Sequence, residues 1–181
     1  MKYFIEIGCN RYDTLIDLAR LGWQGLMIDP LGAAACPEIR HENITFVDAA
    51  ITEESGEFDF FVVDTNDDWS SLLESHHKKV DKNSSARKIR VRGISFNDLL
   101  KEHPYPRIDY LKIDTEGYDA RIIRTIDFSL IDIQLISFEY FHMSDEEIDE
   151  IAMKLDQAGF RLSGAKALNL TFKKKEHEPI Y

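Results

Sequence analysis

The chain is poor in positive charge, in cysteine and in long apolar runs, and each shortage removes a class of protein. Lysine and arginine number 22 against 33 aspartates and glutamates, leaving a formal net charge of −11. Nucleic-acid binding draws its affinity from cationic side chains that displace counterions from phosphates, so no nucleic-acid partner is expected. The same deficit argues against docking on an anionic membrane leaflet. The densest basic stretches, 87–92 and 173–175, alternate or stop too soon to make a groove. The two cysteines, Cys9 and Cys36, fit neither a disulfide framework nor a metal-binding CxxC spacing. No apolar run approaches the length of a membrane span, and Glu6 and Asn10 interrupt the opening stretch too early for a signal peptide. A soluble, cytoplasmic protein is the expectation. A full GxGxxG fingerprint and the Lys-Ser/Thr pair of a phosphate loop are also missing, so neither a dinucleotide nor a triphosphate is favoured.

Apolar residues, at 44% of 181, are ample for a packed core, and the length fits one domain over 1–181. Short apolar runs at 2–7 (KYFIEI), 25–29 (GLMID) and 44–50 (ITFVDAA) read as strands. Helical patterns at 13–21, with Leu15, Leu18 and Leu21 as its stripe, and at about 32–36 lie between them. That rhythm predicts an α/β fold, a mostly parallel sheet with helices on both faces. An antiparallel strand is expected at 57–63, then an irregular loop insertion at about 64–86. Order returns with a strand at 88–92 and a helix at 95–101 whose Ser95 and Asp98 resemble a capping box. Strands at 108–114 and 133–140 flank a helix at about 118–126. The last helix, 145–158, has Ser144 as N-cap and Gly159 beyond its end, and an antiparallel hairpin (160–163 and 168–172) closes the chain.

Parallel sheets bind ligands beyond the carboxyl ends of their strands, which singles out residues 6–10, Asp29, Asp48 and Ala49, 114–116 and 139–142. Gly8 permits a close backbone approach, to a ligand or simply within a tight turn. Asp29, about 20 residues further on, stands where such folds hydrogen-bond ribose hydroxyls, or where a turn begins. Glu6 lies in an apolar strand and needs partners, either nearby loops or a cationic ligand. Asp114 and Glu116 flank Thr115 as paired carboxylates for orienting an acceptor, general-base work or a divalent cation, with helix capping as the plainer reading of Glu116. His142 has the titration range of a base. His76 and His77 lack further ligands at metal spacing and read as solvated, so no metal is assigned. The loop at 64–86, with Asp67, Trp69 and Ser71, is the expected place for acceptor contacts or a lid.

The segments FIEIGCN (4–10), LGWQGLMIDP (21–30), DAAITEESGEFDFFV (48–62), SFNDLL (95–100), DYLKIDTEGYDARII (109–123) and ISFEY (136–140) resemble the FkbM family of S-adenosylmethionine-dependent methyltransferases. The resemblance covers almost the whole length, and KIDTEG followed by a helix and a Phe-Glu strand is its most specific part. It implies a Rossmann-like methyltransferase fold with S-adenosyl-L-methionine as cofactor, contacted at Glu6, Gly8 and Asn10. Asp29 would take the ribose hydroxyls, Asp48 and Ala49 would border the adenine, and Asp114 and Glu116 would lie near the transferred methyl. O-methylation of a carbohydrate or small-molecule acceptor is the implied chemistry, with Asp114, Glu116 or His142 as base. The departures are Tyr12, where the family often has glycine, and Asp29, where it often has glutamate. The alternatives are a non-catalytic cofactor- or partner-binding module on the same fold, or a metal-dependent hydrolase built on Asp114 and Glu116. The oligomeric state is left open.

Overall fold

Short apolar runs bounded by glycine and polar turns become strands, and the longer amphipathic stretches between them become helices. A computed structural model describes residues 1–9, 15–32, 40–63, 69–74, 76–80 and 82–175. Its strands are β1 (Tyr3–Ile7), β2 (Gln24–Ile28), β3 (Ile44–Val47), β4 (Ala50–Thr52), β5 (Gly56–Val62), β6 (Arg87–Ser95), β7 (Tyr110–Ile113), β8 (Leu135–Glu139), β9 (Phe160–Lys166) and β10 (Asn169–Lys174). Its helices are α1 (Ile16–Arg20), α2 (His76–Val80), α3 (Phe96–Glu102), α4 (Asp119–Thr125) and α5 (Asp145–Gln157). None is long and apolar enough to cross a membrane.

Seven strands form one sheet in the order β3-β2-β1-β7-β8-β10-β9. The first five run parallel, and β10 and β9 finish the edge as an antiparallel hairpin. This is the α/β architecture expected from the sequence. From β1 the chain steps outward to β2 and β3, then returns to lay β7 on the other flank of β1. Strand order therefore reverses between β1 and β7, and their C-terminal ends border the crevice where such sheets bind ligands.

Alternate strand residues feed two cores. Phe4 of β1 and Met27 of β2 pack with Ala19 of α1, with Leu15, Leu18 and Trp23 against them. Ile5, Ile7, Leu26, Ile28, Leu111, Ile113, Ile136 and Phe138 belong to the larger cluster on the other side. There they meet Phe96 and Leu99 of α3, Ile122 and Ile123 of α4, and Ile151 and Leu155 of α5.

Four readings change. Residues 44–50 are not one strand: β3 stays in the large sheet, whereas β4 joins a second sheet ordered β4-β6-β5. The Ala49 N–H donates to the Val47 carbonyl at 3.0 Å, a tight local turn that redirects the chain between them. Leu21 is 77% exposed, so the α1 stripe rests on Leu15, Ile16, Leu18 and Ala19 instead. The described residues of 64–86 are less irregular than their polarity predicts, since they include α2 and a bridge pairing Ser71 with Phe61. The hairpin strands run longer than the apolar residues alone indicate, to Lys166 and Lys174. The start of the helix at 13–21, most of the short helix at 32–36, and residues 64–68 with Asp67 lie outside the described residues.

Candidate active site

β7 reads Tyr-Leu-Lys-Ile, and because Leu111 and Ile113 enter the main core, Lys112 turns to the opposite face. There it registers with Glu6 of β1 on one side and Ser137 of β8 on the other. Its Nζ lies 3.3 Å from Glu6 Oε1 and 3.7 Å from Asp114 Oδ2. The Leu15 N–H donates to Glu6 Oε2 at 2.8 Å. Glu6 is fully buried, and its partners here are the protein's own cation and the amide just before α1. It is not part of the cavity wall.

The cavity, of about 260 Å³, opens over the C-terminal ends of β1, β2 and β7. Gly8, Asp29, Ala49, Asp114 and Glu116 line it together, with Ile7, Ile28, Ile51 and Phe60 as apolar wall. Among the described residues the lining contains no lysine and no arginine. Asp29 Oδ1 accepts the Leu31 N–H at 2.8 Å, so this aspartate both starts a turn and faces the cavity. Gly8 adopts φ +76°, and a Cβ there would sit 1.8 Å from the Asp114 carbonyl oxygen. The close approach that demands glycine is thus to the protein's own β7 end. Asp48 is exposed and stands beside Gly32, outside the cavity wall. Asn10 lies outside the described residues.

Behind the cavity, the end of β7 carries a dense group of acids and imidazoles. Glu116 takes a left-handed backbone, φ +53°, followed by Gly117 at +91°. A non-glycine residue in that region is strained by about 1 kcal/mol or more and persists only when its surroundings hold it. Here the Ser71 hydroxyl donates to the Glu116 carbonyl at 2.9 Å. The side chain is held as well: Glu116 Oε2 lies 3.0 Å from His76 Nε2 and 3.3 Å from His142 Nε2. Burial would raise the Glu116 pKa, but the hydrogen bonds and charge of His142 and His76 bring it below the ordinary value. His76 is 1% exposed, which corrects its reading as solvated; the side chain of His77 is not described. His142 also packs edge-on to His76 with ring centroids 4.4 Å apart, and neither ring lines the cavity.

Two more acids complete the group. Asp119, the first residue of α4, is buried: its Oδ2 accepts from Thr115 N and Oγ1 at 3.2 and 2.8 Å, and its Oδ1 from Glu139 N at 3.3 Å. It thereby ties the ends of β7 and β8 together. Burial, helped by the Asp114 charge, pushes its pKa up to about 7 despite those donors. Glu139 closes β8, and burial followed by the charges of Glu116, Asp114 and Asp119 pushes it up to about 8. Carboxylate oxygens of Asp114, Glu116 and Glu139 lie within 4.8 Å of one another.

Of the residues singled out in the sequence, the structure brings Gly8, Asp29, Ala49, Asp114 and Glu116 to one cavity, sets His142 behind it, and leaves Glu6 and Asp48 outside its wall. Sequence reading assigned no catalytic or binding role to Lys112 or Asp119, and named Glu139 only as part of the 139–142 strand end. The available signal was a lysine inside an apolar strand, which calls for an acid such as Glu6 on a neighbouring strand.

No curated protein sequence matches the chain significantly. A family model described as the methyltransferase FkbM domain matches residues 6–162, from within β1 to within β9. That span takes in the small sheet, the large sheet short of its closing hairpin, the cavity and the acid–imidazole group behind it, and the chain belongs to the FkbM methyltransferase domain family.

Proposed function

We propose that this chain is an S-adenosylmethionine-dependent methyltransferase, a Rossmann-like fold in one domain, which methylates a hydroxyl of a carbohydrate or small-molecule acceptor in the cytoplasm. The observation that carries the cofactor is the charge of the cavity: Asp29, Asp114 and Glu116 line it, and among the described residues no lysine or arginine does. Phosphate-bearing cofactors are held by cations or glycine-rich loops at helix N-termini. An apolar wall edged with carboxylates suits instead a ligand with a flat ring, a diol and fixed positive charge. Asp29, at the end of β2, is the acceptor for the ribose hydroxyls, and Ala49 borders the adenine. Glu6 acts at one remove, anchoring the Leu15 amide just before α1.

The cofactor supplies an electrophilic methyl group on a sulfonium. The protein must hold the acceptor oxygen in line and take its proton. Asp114 is best placed of the three candidates: it lines the cavity, whereas two imidazoles occupy Glu116 and His142 stands behind it. Lys112 Nζ pairs with Asp114 Oδ2 at 3.7 Å, beside the cavity. The acidic surface leaves nucleic acids and anionic membranes outside the partner set.

Calorimetric titration tests the assignment. S-adenosylhomocysteine is expected to bind while NAD and ATP do not, and the reverse order would overturn it. Asp29→Ala should weaken S-adenosylhomocysteine by about tenfold or more, the worth of a charge-assisted hydrogen bond; unchanged affinity would remove the ribose role. Asp114→Asn should lower kcat by about 100-fold with cofactor affinity within several-fold. Tight cofactor binding without turnover on any hydroxyl acceptor would make the chain a binding module instead.

A further inference from the structure

We propose that His76, Glu116, His142 and Glu139 form a binding site for one first-row divalent cation, directly behind the cavity wall. The site requires neither that the chain bind S-adenosylmethionine nor that it transfer methyl groups.

The geometry is a connected cluster: two imidazoles meet on one carboxylate oxygen, and one of them also reaches a second carboxylate. His76 Nε2 and His142 Nε2 lie 3.0 and 3.3 Å from the same oxygen, Glu116 Oε2. His142 Nε2 lies 3.6 Å from Glu139 Oε2. Ligand bonds of about 2.0–2.2 Å put neighbouring donor atoms roughly 2.9–3.6 Å apart in tetrahedral or octahedral shells, and each of these three separations falls in that range. The donor atoms of His76, Glu116 and His142 all fall within 4.8 Å of one another, as do those of Asp114, Glu116 and Glu139. The two groups share Glu116, which leaves Asp114 as a further oxygen at the cavity side.

A purely hydrogen-bonded network leaves this arrangement incomplete. A ring nitrogen carries at most one proton, and one on His142 Nε2 has Glu116 Oε2 as its nearer acceptor, at 3.3 Å against 3.6 Å for Glu139 Oε2. Glu139 Oε2 is then left buried with no hydrogen-bond partner, on a residue only 9% exposed. Such an oxygen is costly in a dry interior, and a cation placed between the two imidazoles and the two carboxylates satisfies it. Imidazole nitrogen mixed with carboxylate oxygen suits zinc, manganese or iron(II) rather than calcium, which prefers oxygen alone. The donors come from three places far apart in sequence: His76 from α2, Glu116 from the end of β7, and Glu139 with His142 from the end of β8. A bound ion would cross-link them and hold the strained Glu116 backbone at the cavity wall.

The test begins with the full chain stripped by a chelator, then titrated with Zn²⁺ by calorimetry and with Co²⁺ by visible absorption. One ion per chain, with d–d bands characteristic of a mixed nitrogen–oxygen shell and a raised Tm, is the expected result. Glu139→Gln nearly conserves shape and should weaken binding by at least about tenfold, as should His142→Ala, while His41→Ala should change nothing. If His142→Ala fails to fold, Glu139→Gln alone decides. No binding at micromolar metal, or binding unchanged in Glu139→Gln, would overturn the proposal. S-adenosylhomocysteine binding is measured separately on both the stripped and the metal-loaded chain, so its failure in both would count against the methyltransferase reading and not against this site.

Discussion

Gly8 shows what one residue contributes to the site. Its left-handed backbone and the contact a Cβ would make with the Asp114 carbonyl both require glycine, and so let β1 and β7 end side by side. From the sequence, a glycine after KYFIEI was legible as a turn with a close approach; that the approached group is β7 was not. Asp119 is the opposite case, for nothing in its sequence context marks an acid held near neutrality. Its pKa, up at about 7 against an ordinary 3.8, carries a definite sign. Between these values the native state holds the proton that the unfolded chain has released. Stability from this group is therefore greatest at low pH and falls as pH rises through the window. Asp119→Asn has no such titration, so the stability gap between wild type and variant should narrow from about pH 4 to about pH 7. Urea denaturation across that range measures it, and a constant gap would refute the raised pKa.

Among the elements, α5 was the most fully legible. Ser144 Oγ accepts the Glu147 N–H, and Glu147 Oε2 accepts the Ser144 N–H, both at 3.2 Å, while Gly159 follows the helix at φ +84°. Each of these residues signals a helix end through its own local chemistry. Ser144→Ala should cost about 1 kcal/mol, read as a shift in denaturation midpoint without a change in slope. The similar Ser95–Asp98 signal at α3 is completed differently. Ser95 Oγ accepts the Asp98 N–H at 3.1 Å, but the Ser95 N–H goes to Ser55 Oγ, which donates to Asp98 Oδ2 at 2.6 Å. Aspartate is one methylene shorter than glutamate, and a serine 40 positions earlier in the chain spans the gap. Lys101, then Ser55 and Ser95, hold the Asp98 pKa down to about 2.

For the molecule as a whole, ligand binding should register as stability, because a ligand that binds only the folded chain lowers its free energy. S-adenosylhomocysteine at 100 times its Kd is expected to add about 2.7 kcal/mol. At roughly 2–4 °C per kcal/mol for a chain of this size, the Tm should rise by about 5–10 °C. Differential scanning calorimetry with NAD and ATP as controls decides it, and equal shifts from all three would count against a dedicated cofactor cavity. The fold class and the strand-end residues were legible because they depend on local pattern. Apolar runs of a few residues make strands, and a strand that ends in a carboxylate presents it near the sheet's edge wherever the strand lies. The partners of those residues depend on which strands become neighbours. β7 beside β1 sets Lys112 against Glu6, and the return of the chain through 64–86 brings His76 to Glu116, 40 residues away. Burial and charge pairing act through such long-range contacts, which no local periodicity records. The sequence by itself determined most of the elements, the parallel sheet and the family's strand-end acids; only the tertiary structure decided where β4 and α2 go, which acids share a cavity and which are gathered with imidazoles behind it.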